Sequence, residues 1–209
     1  MLTPPQTLEL FTLLSQKTPE AKIELNHTNP FTLMIAVVLS AQSTDKHVNK
    51  ITPAIFEKAS HPQHILDLGQ DWLREKVASI NYNNTKAKNI FLASKMLVEK
   101  FSGEMPRTLQ ELETLPGVGR KSANVILNSA FGISTLAVDT HVFRVCNRTG
   151  LVSAKTVLET EKQVFPQIPK DFELSAHHLL VLHGRYVCKA RKPDCQNCVI
   201  SHICKKIGI

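Results

Sequence analysis

The sequence lacks any long hydrophobic segment. Its longest unbroken apolar run is the seven residues 33–39, whereas a transmembrane helix needs about 20. The first residues, Met1–Pro5, also lack the basic region and the following apolar region of a secretory signal peptide. Apolar residues make up 43% of the chain and charged residues 21%, which is typical of a globular protein rather than a disordered one. We therefore expect a cytoplasmic protein that does not enter a membrane.

Strand patterns and repeats are missing as well. No segment alternates apolar and polar residues between hairpin turns, and no internal repeat or low-complexity stretch is present. Apolar residues recur instead at helical spacing, so we predict an all-α fold. Cap and stop signals predict six helices: one after Asn29-Pro30 over the run 33–39, one from a cap at Asn84-Thr85 to Gly103, and others at 108–115, 120–131, 139–149 and from Asp171 towards Tyr186.

Negative charge is scarce, above all at the C-terminal end. The chain has 25 Lys and Arg against 18 Asp and Glu, a net charge of +7, and residues 185–209 carry six basic groups and one acidic group. This excess points to a polyanionic partner, most simply a nucleic acid. A solvated basic terminus is the alternative, but cysteines in the same segment favour an ordered loop. In that loop Lys189, Arg191 and Lys192 would form a positive surface facing phosphates.

A glycine-rich turn, Leu-Pro-Gly-Val-Gly-Arg-Lys at 115–121, lies between two predicted helices. Two glycines permit a tight turn and close approach of a ligand to the backbone. Amides at the N-terminus of the following helix can hold a phosphate. A plain helix–helix turn is the alternative, although the full string matches the helix–hairpin–helix motif, which grips a nucleic-acid backbone without reading sequence. The expected contact residues of this hairpin are Pro116, Gly117, Val118, Gly119 and Arg120.

Two titratable residues follow the hairpin. Lys121 lies at the N-terminal end of the predicted helix, where it is either a nucleophilic amine or a lysine that adds to the phosphate binding of the hairpin. Asp139 lies where an apolar stretch enters a helix, and its simplest role is that of an N-cap. The same carboxylate can also face a cleft, where it would assist deprotonation of an amine or stabilise an oxocarbenium-like sugar. Sequence spacing alone does not bring the two residues together.

Four of the five cysteines lie within the last 22 residues. Cys188, Cys195, Cys198 and Cys204 have the spacing C-x6-C-x2-C-x5-C. Two disulfides would require an oxidising compartment, whereas four thiolates on short loops suit a [4Fe–4S] cluster or a structural zinc ion. Cys146 stands apart on a helical face, and we expect it in the core.

Together these features resemble the endonuclease III family of DNA glycosylases with apurinic lyase activity. The resemblance covers nearly the whole chain and is carried by five segments in order: Leu39-Ser40-Ala41-Gln42, residues 115–128, residues 137–149, His183-Gly184-Arg185-Tyr186 and the four cysteines. It implies an all-α protein of two lobes with DNA in the cleft between them. The implied lobes are 22–132, with the helix–hairpin–helix motif at about 108–131, and 1–21 plus 133–209, with a cluster loop at 188–204.

The resemblance also implies roles for individual residues. Lys121 matches the family's nucleophile, Asp139 its catalytic acid, and the four cysteines its structural [4Fe–4S] ligands. The implied reaction is attack of Lys121 on C1′ of a damaged pyrimidine nucleotide that has been flipped out of duplex DNA. The base departs, a Schiff base forms, and β-elimination cuts the strand on the 3′ side. Gln42 matches a residue that fills the resulting gap, Tyr82 aligns with the intercalating wedge, and His141 is a candidate for the same region.

One segment departs from the family pattern. The family usually has a Gly-aromatic-aromatic-Asn run near the wedge, whereas residues 81–84 read Asn-Tyr-Asn-Asn. Asn81 thus replaces the glycine, and Asn83 replaces an aromatic residue. We expect Asn81 to be tolerated there if its backbone is left-handed, since asparagine adopts that conformation at low cost.

Two alternatives stay open at this point. An adenine-specific mismatch glycosylase would share the hairpin and the cysteines, but that group generally lacks a lysine at position 121 and has an additional C-terminal domain. A DNA-binding module without catalysis would need neither Lys121, Asp139 nor Gln42. We expect a monomeric enzyme that acts on double-stranded DNA containing damaged pyrimidines or abasic sites.

Overall fold

A computed structural model describes the whole chain, residues 1–209. It contains no β-strand, so the predicted all-α fold is confirmed. None of its helices combines the length and the hydropathy that crossing a bilayer requires. In chain order the elements are α1 (Pro4–Lys17), α2 (Pro30–Ser40), α3 (Asp45–Phe56), α4 (Pro62–Leu68), α5 (Gln70–Lys76), α6 (Asn83–Phe101), α7 (Leu109–Thr114), α8 (Arg120–Phe131), α9 (Thr140–Thr149), α10 (Val157–Val164), two 3₁₀ helices (Phe165–Gln167 and Lys170–Phe172) and α11 (Ala176–Tyr186).

The chain forms two compact units. The continuous unit is Glu24–Gly132 and contains α2 to α8. The discontinuous unit combines Met1–Ile23 with Ile133–Ile209, so that α1 joins α9, α10, α11 and the cysteine-rich loop.

Helix α2 is the centre of the continuous unit. Every residue from Phe31 to Leu39 is buried, and α2 packs against α3, α6 and α8. A helix that is enclosed on several sides needs an apolar surface all round, which explains why the run 33–39 lacks the usual polar face. The predicted start is confirmed, because the Asn29 side chain accepts a hydrogen bond from the N–H of Thr32 and Pro30 occupies the first turn.

The discontinuous unit is built on α11, which packs against α9 and α1. Its core joins side chains from both ends of the chain, including Phe11, Val142 and Leu180, each fully buried. The N-terminus is also tied by its backbone, because the N–H of Leu2 donates to the carbonyl of Gly150 at 2.7 Å. The first helix is therefore held by residues that lie more than a hundred positions later.

Helix boundaries follow the sequence signals with two exceptions. The predicted ends of α8 and α9 are confirmed, each closed by a left-handed glycine, Gly132 and Gly150. The predicted cap at Asn84-Thr85 is wrong, because α6 begins at Asn83. The predicted helix from Asp171 is also wrong, since residues 170–172 form a 3₁₀ turn and α11 begins only at 176. None of the three residues of that turn is fully buried, although the ring of Phe172 stacks on Phe11 with the ring centroids 5.9 Å apart.

Candidate functional site

The glycine-rich turn joins α7 to α8. The Thr108 hydroxyl caps α7 by accepting a hydrogen bond from the N–H of Glu111. Between the two helices, the N–H of Val118 donates to the carbonyl of Leu115 at 3.0 Å. Both of these apolar side chains are buried. Val118 therefore anchors the hairpin from inside, and its side chain and its N–H are already engaged.

The two glycines of the hairpin have different physical roles. Gly117 has a φ of +83°, and a Cβ there would lie 3.0 Å from Cβ of Asn89, so neither its backbone nor its surroundings accept a side chain. Gly119 is the N-cap of α8 and lacks a side chain that could cap the helix. A Cβ at Gly119 would meet nothing within 4 Å. A ligand can therefore approach the backbone of Gly119 closely, at the positive end of the helix dipole, which suits an anion.

Lys121 is the second residue of α8, and both it and Arg120 are exposed. The part of α8 that follows them is held in the core, because residues 123–128 are buried. Helix α8 packs against α2 and α7. The lysine is therefore carried on a rigid helix rather than on a loop, which gives its amine a defined starting position.

Asp139 is the N-cap of α9, as predicted. Its Oδ1 accepts hydrogen bonds from the N–H groups of His141 at 2.8 Å and Val142 at 2.9 Å. Capping fixes the orientation of a half-buried carboxylate. Asp139 belongs to the discontinuous unit and Lys121 to the continuous unit.

The ring of His141 is fixed by Arg144 and Gly184. One guanidinium nitrogen of Arg144 lies 3.1 Å from Nδ1 of His141, and the same nitrogen donates to the carbonyl of Gly184 at 2.7 Å. Because a guanidinium only donates, Nδ1 is the acceptor and the proton of the neutral ring lies on Nε2. A Cβ at Gly184 would lie 2.9 Å from Cβ of His141. The close approach of α9 and α11 thus presents His141 as a donor through Nε2.

The loop after α2 carries Gln42, which is exposed and has a φ of +55°. A left-handed backbone costs a residue with a side chain about 1–2 kcal/mol, so this conformation needs support. The side-chain amide of Asn81 donates to the carbonyl of Gln42 at 2.9 Å. The structure thus brings Gln42 next to the segment that bears Tyr82.

Lys86 supports the same loop and was missed by the sequence analysis. Its ammonium donates to the carbonyls of Leu39 at 2.9 Å and Ala41 at 2.5 Å, at the C-terminal end of α2. It is only 6% exposed, and burial lowers its pKa. The signal for it is present in the sequence, because residue 86 shares the helical face of the apolar residues Ala87 and Ile90.

We expect Lys86→Met to lower the free energy of unfolding by about 2 kcal/mol, because two carbonyls at the negative end of α2 lose their charged donor. The matched control is Lys88→Met, since Lys88 is exposed on the same helix. Urea unfolding followed by the fluorescence of Trp72, the sole tryptophan, reports on the continuous unit. Equal transition midpoints for the two variants would contradict the expectation.

Tyr82, and not Asn81, is the left-handed residue of the segment 81–84, so position 81 does not require the left-handed backbone for which asparagine was considered tolerable. Tyr82 has φ 59° and ψ 34°, and its side chain is 65% exposed. The reversal falls there because α6 starts at the next residue, Asn83. The side-chain amide of Asn83 donates back to the carbonyl of Ala78 at 2.7 Å and closes the turn. The aromatic ring is thus presented to solvent at a fixed helix start.

The four C-terminal cysteines line one cavity, in which the space between side chains, open solvent included, is about 320 Å³. Burial raises the pKa of Cys198 and Cys204, and the nearby cysteines raise it further by mutual repulsion of thiolates. Four thiolates at this place therefore need a cationic partner. Four thiolate donors around one cavity suit an iron–sulfur cluster.

N–H groups surround the cysteine sulfurs. A guanidinium nitrogen of Arg148 lies 3.8 Å from Sγ of Cys188, and the backbone N–H of Lys206 lies 3.4 Å from Sγ of Cys204. Nε2 of His183 lies 3.7 Å from Sγ of Cys198. Donors of this kind stabilise the thiolate ligands of a cluster.

Arg148 also shapes the basic loop. It donates to the carbonyls of Lys189 at 2.7 Å and Ala190 at 3.0 Å. Lys189, Arg191 and Lys192 are all exposed, and Lys192 has a φ of +52°. The three cationic side chains therefore extend from a loop whose backbone is held by Arg148.

Cys146 lies in the core, as predicted. It is fully buried on α9, and burial raises the pKa of its thiol. It does not line the cavity of the other four cysteines.

Comparison with known proteins decides the family. Residues 35–169 match the model of the HhH-GPD superfamily of base excision DNA repair proteins, and residues 188–204 match the iron–sulfur binding domain of endonuclease III. Endonuclease III of Haemophilus influenzae is 49% identical over 198 residues, which cover 95% of this chain and 94% of that protein. The chain belongs to the endonuclease III family. Endonuclease III of Escherichia coli K12 is 46% identical over the same coverage.

A solved structure supports the assignment to this family. A trapped covalent intermediate of an endonuclease III with DNA superposes with a TM-score of 0.92 at 44% identity, covering 99% of this chain and 97% of that chain. The resemblance noted from the sequence is thereby confirmed. This member of the family is a base-excision-repair DNA glycosylase with AP lyase activity, and it has a [4Fe–4S] cluster.

Proposed function

We propose that the protein acts as a monomer on duplex DNA, removes oxidised pyrimidines and cuts the strand through an imine on Lys121. The observation that carries the proposal is the exposed lysine on the second residue of α8, directly after a hairpin whose Gly119 has open space where a side chain would lie. A covalent intermediate with DNA in an endonuclease III of 44% identity supports it.

The proposed reaction proceeds in three steps. The lone pair of the Lys121 amine attacks C1′, and the bond from C1′ to the damaged base breaks. The bond from C1′ to O4′ then breaks as O4′ takes the second proton of the amine, which opens the sugar ring and leaves an imine between Nζ and C1′. Loss of a C2′ proton then expels the 3′ phosphate by β-elimination. We assign to the carboxylate of Asp139, oriented by its capping bonds, acceptance of the proton from the amine and stabilisation of positive charge at the sugar.

The remaining predicted residues have proposed DNA contacts. The hairpin residues Pro116, Gly117, Gly119 and Arg120 bind a phosphate, and Val118 supports them from the core. The exposed side chains of Gln42 and Tyr82 fill the gap and part the bases, because the target nucleotide must leave the stack. His141 donates a hydrogen bond to the DNA through Nε2. The cysteines at 188, 195, 198 and 204 hold the cluster, which fixes the loop 188–204 and takes no part in bond cleavage.

Borohydride trapping tests the proposed chemistry. With a duplex containing an oxidised pyrimidine, the wild-type enzyme should give a covalent protein–DNA adduct, because borohydride reduces the imine. An undamaged duplex and a duplex with a mismatched adenine are the controls, and neither should give an adduct. Absence of an adduct on the oxidised pyrimidine, or trapping on the mismatch, would contradict the proposal.

We expect Lys192→Glu to weaken DNA binding roughly tenfold at low salt and to reduce the slope of log affinity against log salt by about one or two. The reason is the loss of a cation from the exposed loop between Cys188 and Cys195. Lys162→Glu, an equal charge change on an exposed residue of α10, is the matched control. If both variants keep the wild-type slope, the loop does not contact DNA.

A further inference from the structure

We propose that Asn81 is a positioning residue that pre-forms the Gln42 loop for binding to damaged DNA. The inference rests on the proposed contact of Gln42 with DNA. Asn81 does not itself need to touch the DNA, because it acts through the backbone of Gln42.

Two side chains of one short segment hold this loop. Asn81 bonds the carbonyl of Gln42 in the loop, and Lys86 bonds the carbonyls of Leu39 and Ala41 at the end of α2, where the loop begins. The lysine is buried and fixes the base of the loop, whereas the asparagine is exposed and fixes its tip. The two supports are therefore separable by mutation.

The bond to Asn81 lies at the one residue of the loop with a positive φ. Without a fixed partner for its carbonyl, the backbone of Gln42 would populate right-handed or extended conformations that an L residue prefers. Each such excursion removes the Gln42 side chain from its position. The apparent affinity for DNA is then the intrinsic affinity multiplied by the fraction of molecules in the competent conformation.

A purely structural role does not account for the placement of Asn81. Its side chain is exposed and covers no apolar core. Asn83, two residues later, is an asparagine that bonds within its own turn, to the carbonyl of Ala78. The chain therefore supplies a matched control: the same side chain and the same kind of bond, but no contact with Gln42.

The primary test measures binding to a duplex with a tetrahydrofuran abasic-site analogue, which cannot form an imine. We expect Asn81→Ala to weaken binding about fivefold, whereas any loss in Asn83→Ala should arise from the Tyr82 turn and therefore persist in a Gln42→Ala background. On a natural abasic site, Asn81→Ala should raise KM while the single-turnover cleavage rate at saturating enzyme stays unchanged. Equal affinities for wild type and Asn81→Ala would overturn the inference, as would a loss of saturated rate with an unchanged KM.

A double-mutant cycle shows whether Asn81 acts through Gln42. In a Gln42→Ala background, the further change Asn81→Ala should have no effect on affinity, whereas an independent structural role would give the same loss in both backgrounds. If Gln42→Ala alone leaves affinity unchanged, the inference fails. Because the analogue is bound without reaction, this failure is distinct from failure of the Lys121 mechanism, which the trapping experiment reports separately.

Discussion

We expect Lys121→Ala to abolish the borohydride-trapped adduct and to lower strand cleavage at an abasic site by at least about 10³-fold, as expected when a nucleophile is removed. The neighbouring cation cannot replace it, because the guanidinium of Arg120 stays protonated in proteins and is not nucleophilic. The measurement is adduct yield on a denaturing gel, with enzyme in excess over DNA.

The change at Lys121 is suited to this test because it leaves the fold intact. The side chain is exposed at the start of α8, and alanine is the best helix former. Arg120→Ala is the matched control: it should weaken DNA binding, yet give the wild-type adduct yield at saturating enzyme. Undiminished trapping by Lys121→Ala would overturn the assignment of the nucleophile.

The second large effect is expected for Cys198→Ser. We expect this variant to lose the brown colour, to hold fewer than about four iron atoms per chain, and to lose more than about 4 kcal/mol of stability. The reason lies in the tail itself, in which residues 187–209 contain no helix and only Cys188 and Ile200 are buried. A segment with so little core depends on its cluster for order.

The fifth cysteine provides the control. Cys146→Ala removes a thiol from the core of the same unit but leaves the cavity unchanged, so its iron content should equal that of wild type. The measurements are iron and acid-labile sulfide in protein purified without oxygen. Stoichiometric zinc in wild type, or full iron in Cys198→Ser, would refute the ligand assignment.

Much of the candidate site could be predicted from local signals in the sequence. The ends of α8 and the cap at Asp139 follow from glycine stops and N-cap preference, which act within a few residues. The four cysteines and the hairpin string are short patterns that mark the two sites, although only the family resemblance selected the iron–sulfur cluster over a zinc ion. These features are predictable because their causes lie within the motif.

Other features were not predicted, because they depend on residues that are far apart in the sequence. The side-chain amide of Asn81 donates to the carbonyl of Gln42, 39 positions earlier, and the left-handed backbone lies at Tyr82. Arg144 fixes His141 only because α11 supplies the carbonyl of Gly184. Contacts of this kind arise from packing between helices, which a pattern within one helix does not encode.

The tie between the two ends of the discontinuous unit has a consequence for biosynthesis. On a ribosome the segment 24–132 emerges as one piece and can fold as it appears. Helix α1, made first, must wait for the partners in residues 133–209 that bury its apolar side chains. Residues 24–209 all follow this first segment, and at about 5–20 residues per second their synthesis takes about 9–37 s. During that interval Leu10, Phe11 and Leu14 face water or a chaperone, and iron can be delivered only after Cys204 has left the exit tunnel.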